Sequence, residues 1–550
     1  MLHRVDTTAV STGPLTDLLD TSVIAHGALP AMNFLGRRWT YAQLGDLVAR
    51  SAAGLQRLGV TKGTRVGLCL PNTPYSVIFY FAILKAGGTV VNFSPLYVER
   101  ELSHQIRDSG TTIMVVPDLK IIHSRVAAVA ADAGLSRIIV CPFAGILSPL
   151  KGLLFTLFKR KDQAVYDAAD GRHITFKALL ADAPALRPVA VDPERDIAVL
   201  QYTGGTTGVP KGAMLSHANL AANAHQVIDH VHCLAIGQER VIGVLPLFHV
   251  FAMTTVMNIP IAIGGEIILV PRFQLNDVLK TVASTRATMF PGVPTIYGAI
   301  NNSPETAKHD LSSLKLCISG GAPLPMEVRH QFEILTGCKL VEGYGLSETS
   351  PVLTANPPMG VIKDGSVGTA VPGTILEIRS LDDPRQIMPQ GQKGEVCARG
   401  PQVMAGYWQR PEDTAATFVD GAFRTGDVGY LDADGYLFLV DRIKDVILCG
   451  GYNVYPRVIE EALYQHPAVA EAVVIAVPDP YRGQAPKAFV TLKVGIKATP
   501  EELRSFLTTQ VSKVEMPKEV EIRDQLPRTL VGKLSKKELV EEEKKKAAER

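Results

Sequence analysis

An α/β fold divided into several units is what this sequence predicts, on three observations. Its 550 residues exceed what one hydrophobic core holds, about 250–300 residues. Residues 65–92 read as a βαβ unit, which calls for a parallel sheet with helical crossovers. From about residue 365 the texture changes to short strands between Gly, Asp and Pro, and beyond residue 441 to a compact alternation of helix and strand, so separate units are expected there.

Taken in order, residues 65–70 (RVGLCL) form a buried strand. Residues 74–86 form a helix opened by Pro74 and stopped by Gly87 and Gly88, and residues 89–92 return as a strand. Residues 196–202 (DIAVLQY), 267–270 and 314–319 read as further buried strands. The run 365–431 (SVGTAVPGTILEIR, GEVCARG, GAFRTGDVGY) is strand-and-turn composition. A domain boundary is expected near Asp441, followed by a Gly-rich segment. Then come a helix at 456–465, strands at 472–477 and 488–493, a helix from Thr499 and a charged helical tail. Residues 241–265 carry no Asp, Glu, Lys or Arg, long enough to span a bilayer. Pro246, His249, Pro260 and Gly264–Gly265 interrupt the run, which predicts strand, loop and helix inside a large core instead.

Composition excludes several classes. Hydrophobic residues at 46% and charged residues at 20%, with a net charge of +2, describe an ordinary globular chain and give no footing for nucleic acid. The cysteines at 69, 141, 233, 317, 338, 397 and 449 are dispersed and odd in number. This pattern suits reduced thiols rather than a disulfide framework or a zinc site. The first twenty residues lack a basic-then-apolar leader pattern, so a cytoplasmic location is expected.

The strongest chemical signal is residues 202–212, YTGGTTGVPKG, directly after a strand. Small residues let backbone N–H groups approach phosphate oxygens, while Thr hydroxyls and Lys211 add donors and charge. A Walker loop needs Gly-Lys-Ser/Thr, and here Pro210 precedes Lys211 and Gly212 follows it, so this is a phosphate loop of another kind. Residues 527–536, PRTLVGKLSK, present Lys533 in a frame distinct from the other tail lysines.

The 202–212 segment resembles the signature of the adenylate-forming superfamily of acyl-CoA synthetases, luciferases and peptide-synthetase adenylation domains. Six more motifs follow in family order: 246–252 (PLFHVFA), 319–325 (SGGAPLP), 343–349 (GYGLSET), the segment ending FRTGDVGY at Tyr430, 441–455 (DRIKDVILCGGYNVY) and 527–536. The resemblance implies a large N-terminal domain (1–441) of two α/β subdomains plus a β-rich piece, a hinge at 442–447, and a small mobile α+β domain (448–550). It implies ATP, Mg²⁺ and coenzyme A as cofactors and two steps. A carboxylate attacks the ATP α-phosphate to give acyl-AMP and pyrophosphate, and then the coenzyme A thiol displaces AMP.

By the same resemblance, Thr203, Gly204, Gly205, Thr206, Thr207, Gly208 and Lys211 hold phosphate. Gly320, Gly321, Ala322, Gly343, Tyr344, Gly345 and Ser347 hold adenine and phosphate, and the glycines beside Tyr344 leave room for a flat base. Glu348 and Thr203 attend Mg²⁺, a hard cation that takes oxygen ligands. Asp427 and Arg442 meet the ribose, and His249 packs beside the acyl carboxylate. Lys444 is the hinge and Gly450–Gly451 the loop that turns inward for the thioester step. Lys533 is the catalytic lysine of the first step, where a cation offsets anions brought together.

The 202–220 and 246–253 stretches look most like the long-chain fatty-acyl branch and its dicarboxylate relatives. Gly320, Gly321 and Gly343 are expected to leave pocket walls without bulk for a long chain. Residues 147–161, LSPLKGLLFTLFKRK, have two readings: a membrane-surface patch, or a packed helix with a solvated basic end. A homodimer is a further expectation. A dicarboxylate or aromatic acid ligase, and an adenylation protein loading a carrier-protein thiol, stand as alternatives. No carrier domain follows residue 536, which favours a free acceptor.

Overall fold

The computed structural model describes residues 13–548 except 168–169, 182–184, 204–209, 451 and 530–531. Two large sheets organise the first two-thirds of the chain. One has seven strands, running in space through His173–Thr175, Arg137–Cys141, Ile113–Pro117, Arg65–Leu68, Thr89–Asn92, Ile197–Thr203 and Lys211–Ser216. The other has nine, and its five central strands, Glu266–Leu269, Arg240–Gly243, Met289–Gly292, Leu316–Ser319 and Lys339–Gly345, are all parallel.

The βαβ unit forms as the sequence predicts. Arg65–Leu68 and Thr89–Asn92 are parallel neighbours, joined by the Pro74–Lys85 helix with Pro at its first turn. Every residue of that helix from Pro74 to Leu84 is buried, because it lies in a core that both sheets share. Asn72 locks the sheets together. Its amide donates to the carbonyls of Gly243 (2.9 Å) and Leu245 (2.8 Å), and its Oδ1 accepts from the Leu247 N–H (2.9 Å). A buried amide whose partners all lie on the other sheet fixes their relative position as well as their contact.

The uncharged run 241–265 is strand, loop and helix, as expected. It holds Val250–Ala252, a π-helical turn at Met253–Asn258, and Ile259–Ala262, with every residue from Val250 to Ile261 buried. Among the described residues no helix is long and apolar enough to cross a membrane.

The β-rich piece is a five-stranded antiparallel sheet. The last unit is a second five-stranded sheet with its own core, in which Ile459, Leu463, Val474, Val490 and Leu503 are buried. The Gly-rich segment after Asp441 is a hairpin, Ile447–Cys449 paired with Tyr452–Val454. Leu448 and Tyr452 are exposed, so it shows little apolar alternation, and its pairing to the Gly483–Leu492 strand holds it. All seven cysteines are free.

Candidate active site

The parallel strands of the nine-stranded sheet align their carboxyl ends, since Gly292 pairs with Ser319 and Ser319 with Glu342. Open α/β sheets bind ligands at such ends, and three of the motifs leave the sheet there. Gly320–Ala322 follows Ser319, Gly343–Gly345 completes its strand, and His249 lies in the connection after Arg240–Gly243. On the seven-stranded sheet, Ile197–Thr203 and Lys211–Ser216 form an antiparallel hairpin with Thr203 opposite Lys211, so the stems of the phosphate loop are held in register. Gly204, Gly205, Thr206, Thr207 and Gly208 lie outside the described residues, as does Gly451.

Asp427 and Arg442 are cross-strand partners in the β-rich sheet. Arg442 Nε lies 3.2 Å from Asp427 Oδ1, and the Tyr344 hydroxyl donates to Asp427 Oδ2 at 2.7 Å. Asp427 is 5% exposed. Burial pushes its carboxyl above the ordinary range, with Arg442 and Tyr344 opposing. The three residues come from chain segments 83 and 15 positions apart, and the structure brings them to one corner.

Glu348, beside Ser347 in the Ser347–Thr349 turn, accepts from the Tyr407 hydroxyl at 2.8 Å. Burial raises its carboxyl, with the Tyr407 hydrogen bond opposing. No Lys or Arg pairs with it among the described residues. Lys211 Nζ reaches Asp413 at 2.5 Å and lies 5.3 Å from the centre of the Tyr407 ring. Thr203 Oγ1 donates to the Lys211 carbonyl at 3.5 Å. Tyr407 and Asp413 are functional neighbours that motif reading missed. Tyr407 also bridges to Ala213, so residues 406–413 lie beside the Lys211–Ser216 strand.

Lys533 comes from the last unit and lies against Gly321. A Cβ on Gly321, whose φ is +79°, would collide with the Lys533 Cε and Nζ. The adjoining carbonyl of Gly532 accepts from Thr295 Oγ1 at 2.9 Å, pinning the lysine loop to the large domain. Burial pushes Lys533 down to about 8, and the like charge of Arg442 adds to this. His249, which accepts from the Phe251 N–H at 3.3 Å, is pushed down to about 3 by burial and by Lys533. It is therefore a neutral imidazole near neutral pH. A cleft of about 820 Å³ opens here, with Thr295 and Ala322 on one wall and Arg457, Glu460 and Lys536 on the other. Glu342, paired in register with Ser319, accepts from the Leu324 N–H at 3.1 Å. Burial pushes Glu342 up to about 7, with Arg457 opposing.

The glycine walls do not read as expected. The space over Gly320 is filled by the Phe251 ring, 2.9 Å from where a Cβ would stand. Gly343 backs onto the Thr354 carbonyl at 3.4 Å in an antiparallel pair. These glycines permit close packing and do not open a tunnel. Lys444 lies in the Ile443–Asp445 turn and is exposed. Gly450, with φ +59°, turns the Ile447–Tyr452 hairpin.

This geometry defines a nucleotide-dependent site at the edge of an α/β sheet, closed by a lysine from a second domain. The chain belongs to the AMP-binding enzyme family: its model matches residues 19–408, and the model for the AMP-binding enzyme C-terminal domain matches residues 458–533. The chain is 43% identical over 531 residues to the long-chain-fatty-acid–CoA ligase of Bacillus subtilis strain 168, covering 96% of this chain and 94% of that one. It is 38% identical over 506 residues to a feruloyl-CoA synthase of an Amycolatopsis species, covering 92% and 94%. The structure of ATP-bound MatB from Rhodopseudomonas palustris superposes with a TM-score of 0.82 at 30% identity, covering 96% and 98%.

Proposed function

We propose that this chain is an ATP-dependent acyl-CoA synthetase that converts medium- to long-chain fatty acids to acyl-AMP and then to acyl-CoA. The observation that carries the reading is the half-buried Lys533 cation packed on Gly321 and influenced by the like charge of Arg442, with no carboxylate to neutralise it among the described residues. Such a cation is poised for an anion brought in from outside. In this reading Asp427 accepts the ribose hydroxyls and Arg442 steadies them, and Lys211 and the 203–208 loop hold phosphate. Lys533 offsets the charge that builds up as the carboxylate attacks the α-phosphate. Tyr344, Gly343 and Gly345 flank the base, and Gly320–Ala322 lie under Lys533.

Glu348 fits Mg²⁺. It is a half-buried oxygen donor without a Lys or Arg ion pair among the described residues, and one carboxylate together with substrate phosphates is a usual Mg²⁺ environment. When bound, Mg²⁺ would neutralise the phosphates of ATP. Domains at 1–441 and 448–550 joined by a hinge at 442–447 allow rotation about Lys444. This rotation withdraws Lys533 and presents Gly450–Gly451 for the thioester step.

The fatty-acid assignment draws on the Bacillus relative and on the apolar run from Val250 to Ile263 beside His249, which supplies no cation for a second carboxylate. The feruloyl relative makes an aromatic acid the competing reading. Measuring kcat/KM for palmitate, octanoate, pimelate, benzoate and ferulate side by side decides between them. Palmitate is expected to lead, since each buried methylene contributes about 0.8 kcal/mol. A tenfold advantage for pimelate, benzoate or ferulate would replace the assignment.

A further inference from the structure

An aspartate in the last turn of a helix faces the negative end of the helix dipole, so its presence there calls for partners outside the helix. Asp108 is the penultimate residue of the Glu99–Ser109 helix, and its side chain is 11% exposed. Both carboxylate oxygens are engaged. The Tyr202 hydroxyl donates to Oδ2 at 2.6 Å, and Arg410 Nη2 donates to Oδ1 at 2.6 Å. The Trp408 indole N–H donates to the Asp108 carbonyl at 3.2 Å. These partners lie 94, 302 and 300 positions away along the chain.

The segments so gathered are those that frame the phosphate loop. Tyr202 precedes Thr203 on the first stem and pairs in register with Gly212 on the second. Its ring lies across that pair. A Cβ on Gly212 would stand 3.2 Å from the ring's Cε2 and Cζ, so glycine there leaves the tyrosine room to reach Asp108. The second stem is held by the segment that carries Arg410. The Trp408 N–H donates to the Gly212 carbonyl at 2.8 Å, and the Met214 N–H to the Gly406 carbonyl at 2.9 Å. The same segment supplies Tyr407 to Glu348 and Asp413 to Lys211.

We propose that Asp108 is a positioning residue for the ATP phosphates: by holding Tyr202 and Arg410 on one carboxylate, it fixes both stems of the 203–211 loop against the segment that carries Tyr407 and Asp413. It acts through these neighbours and not on the nucleotide. A carboxylate suits the task, because it accepts charge-assisted hydrogen bonds that are shorter and stronger than neutral ones. Two partners from different segments on one group also have their positions coupled. The proposal deepens the acyl-adenylate reading and rests on it for the identity of the ligand.

The test is titration calorimetry of the full-length protein with ATP and Mg²⁺ and, separately, with AMP, in the absence of acid and coenzyme A. Asp108→Asn keeps the shape of the side chain and removes the charge that Arg410 pairs with. It is expected to weaken ATP binding about tenfold and AMP binding less than about twofold, since AMP lacks two of the three phosphates. Tyr202→Phe removes one hydroxyl and leaves the ring on Gly212. It is expected to weaken ATP about threefold, and to add little when combined with Asp108→Asn. Arg107→Ala loosens the same helix end from the Asp132 carbonyl and is expected to leave both affinities unchanged. A mere support for the helix would weaken ATP and AMP together or neither. Either result in Asp108→Asn, or in Tyr202→Phe where the aspartate variant does not fold, overturns the proposal. Wild-type protein that takes up no ATP overturns the acyl-adenylate reading and the proposal with it. That result is distinct from a wild type that binds ATP and variants that bind it equally well, which overturns the proposal alone.

Discussion

Asp427 enters the site with its countercharge in place, Arg442 at 3.2 Å and the Tyr344 hydroxyl at 2.7 Å. Lys533, at the other end, is half-buried with a like charge in its surroundings and no carboxylate partner among the described residues. Lys536, three residues on, shows that the local chain is not the cause. It has Glu460 at 3.0 Å, and although burial opposes its charge, Glu460, Asp441 and Asp445 together raise it above the ordinary lysine range. The Asp427 corner thus carries its own countercharge, whereas the Lys533 corner lacks one among the described residues. Preorganised charge aimed at where anions gather is worth more in a dry site than in water.

The comparison breaks most visibly at Lys533. Lys533→Ala is expected to lower adenylate formation on the order of 10³-fold while thioester formation from preformed acyl-AMP stays near wild type. Equal loss of both half-reactions would mean that the lysine is part of a fixed site and not of one of two arrangements. Next in size, Asp427→Ala removes an acceptor of charge-assisted hydrogen bonds worth about 1.5–3 kcal/mol. The KM for ATP should rise about 10–100-fold, and an ATP response that does not move would reduce Asp427 to a partner of Arg442.

The smallest effect sharpens the contrast through pH. A lysine that acts protonated, with its proton held only to about 8, loses its charge well below the ordinary lysine range. The kcat/KM for adenylate formation should therefore fall about tenfold between pH 7 and 9. Bound phosphates restore the proton, so kcat should fall only at higher pH. His249, at about 3, contributes nothing to this window. A kcat/KM profile flat to pH 10 would show that Lys533 is paired in solution.

Much of the sheet framework was legible in the sequence, because buried parallel strands are continuous apolar runs with little else to be. Thr89–Asn92 falls on its expected bounds, and Leu316–Ser319 starts two residues later than expected. The π turn at Met253–Asn258 carries no such signal, since Thr254, Thr255 and Asn258 are buried along with Met253, Val256 and Met257 and polarity marks no face. The motif residues were legible through resemblance, residue by residue. Tyr407 and Asp413 were not. Their contacts reach 59 and 202 positions along the chain, to Glu348 and Lys211, and a lone tyrosine in a strand-and-turn region looks like any other. Glu342 and Arg457 were missed for the same reason. Residues 147–161 were left with two readings, a membrane-surface patch or a packed helix with a solvated basic end; the structure forms a helix at Pro149–Phe158 with Leu150, Leu153, Leu157 and Phe158 exposed.

Arg442 ends the last strand of the β-rich sheet, at the first residue of the proposed hinge, and its charge is one of the causes that loosen the proton on Lys533. On a rotation that leaves Arg442 behind and carries Lys533 into water, that proton is regained. Between about pH 8 and the free-lysine value near 10.4, closing the empty protein sheds a proton and opening it takes one up. Linkage then makes alkaline solution favour the closed shape of the empty chain, and ATP, by supplying anions to the same lysine, erases that preference. Domain position becomes a titratable quantity, to be followed with a pH indicator while the two halves of the enzyme move.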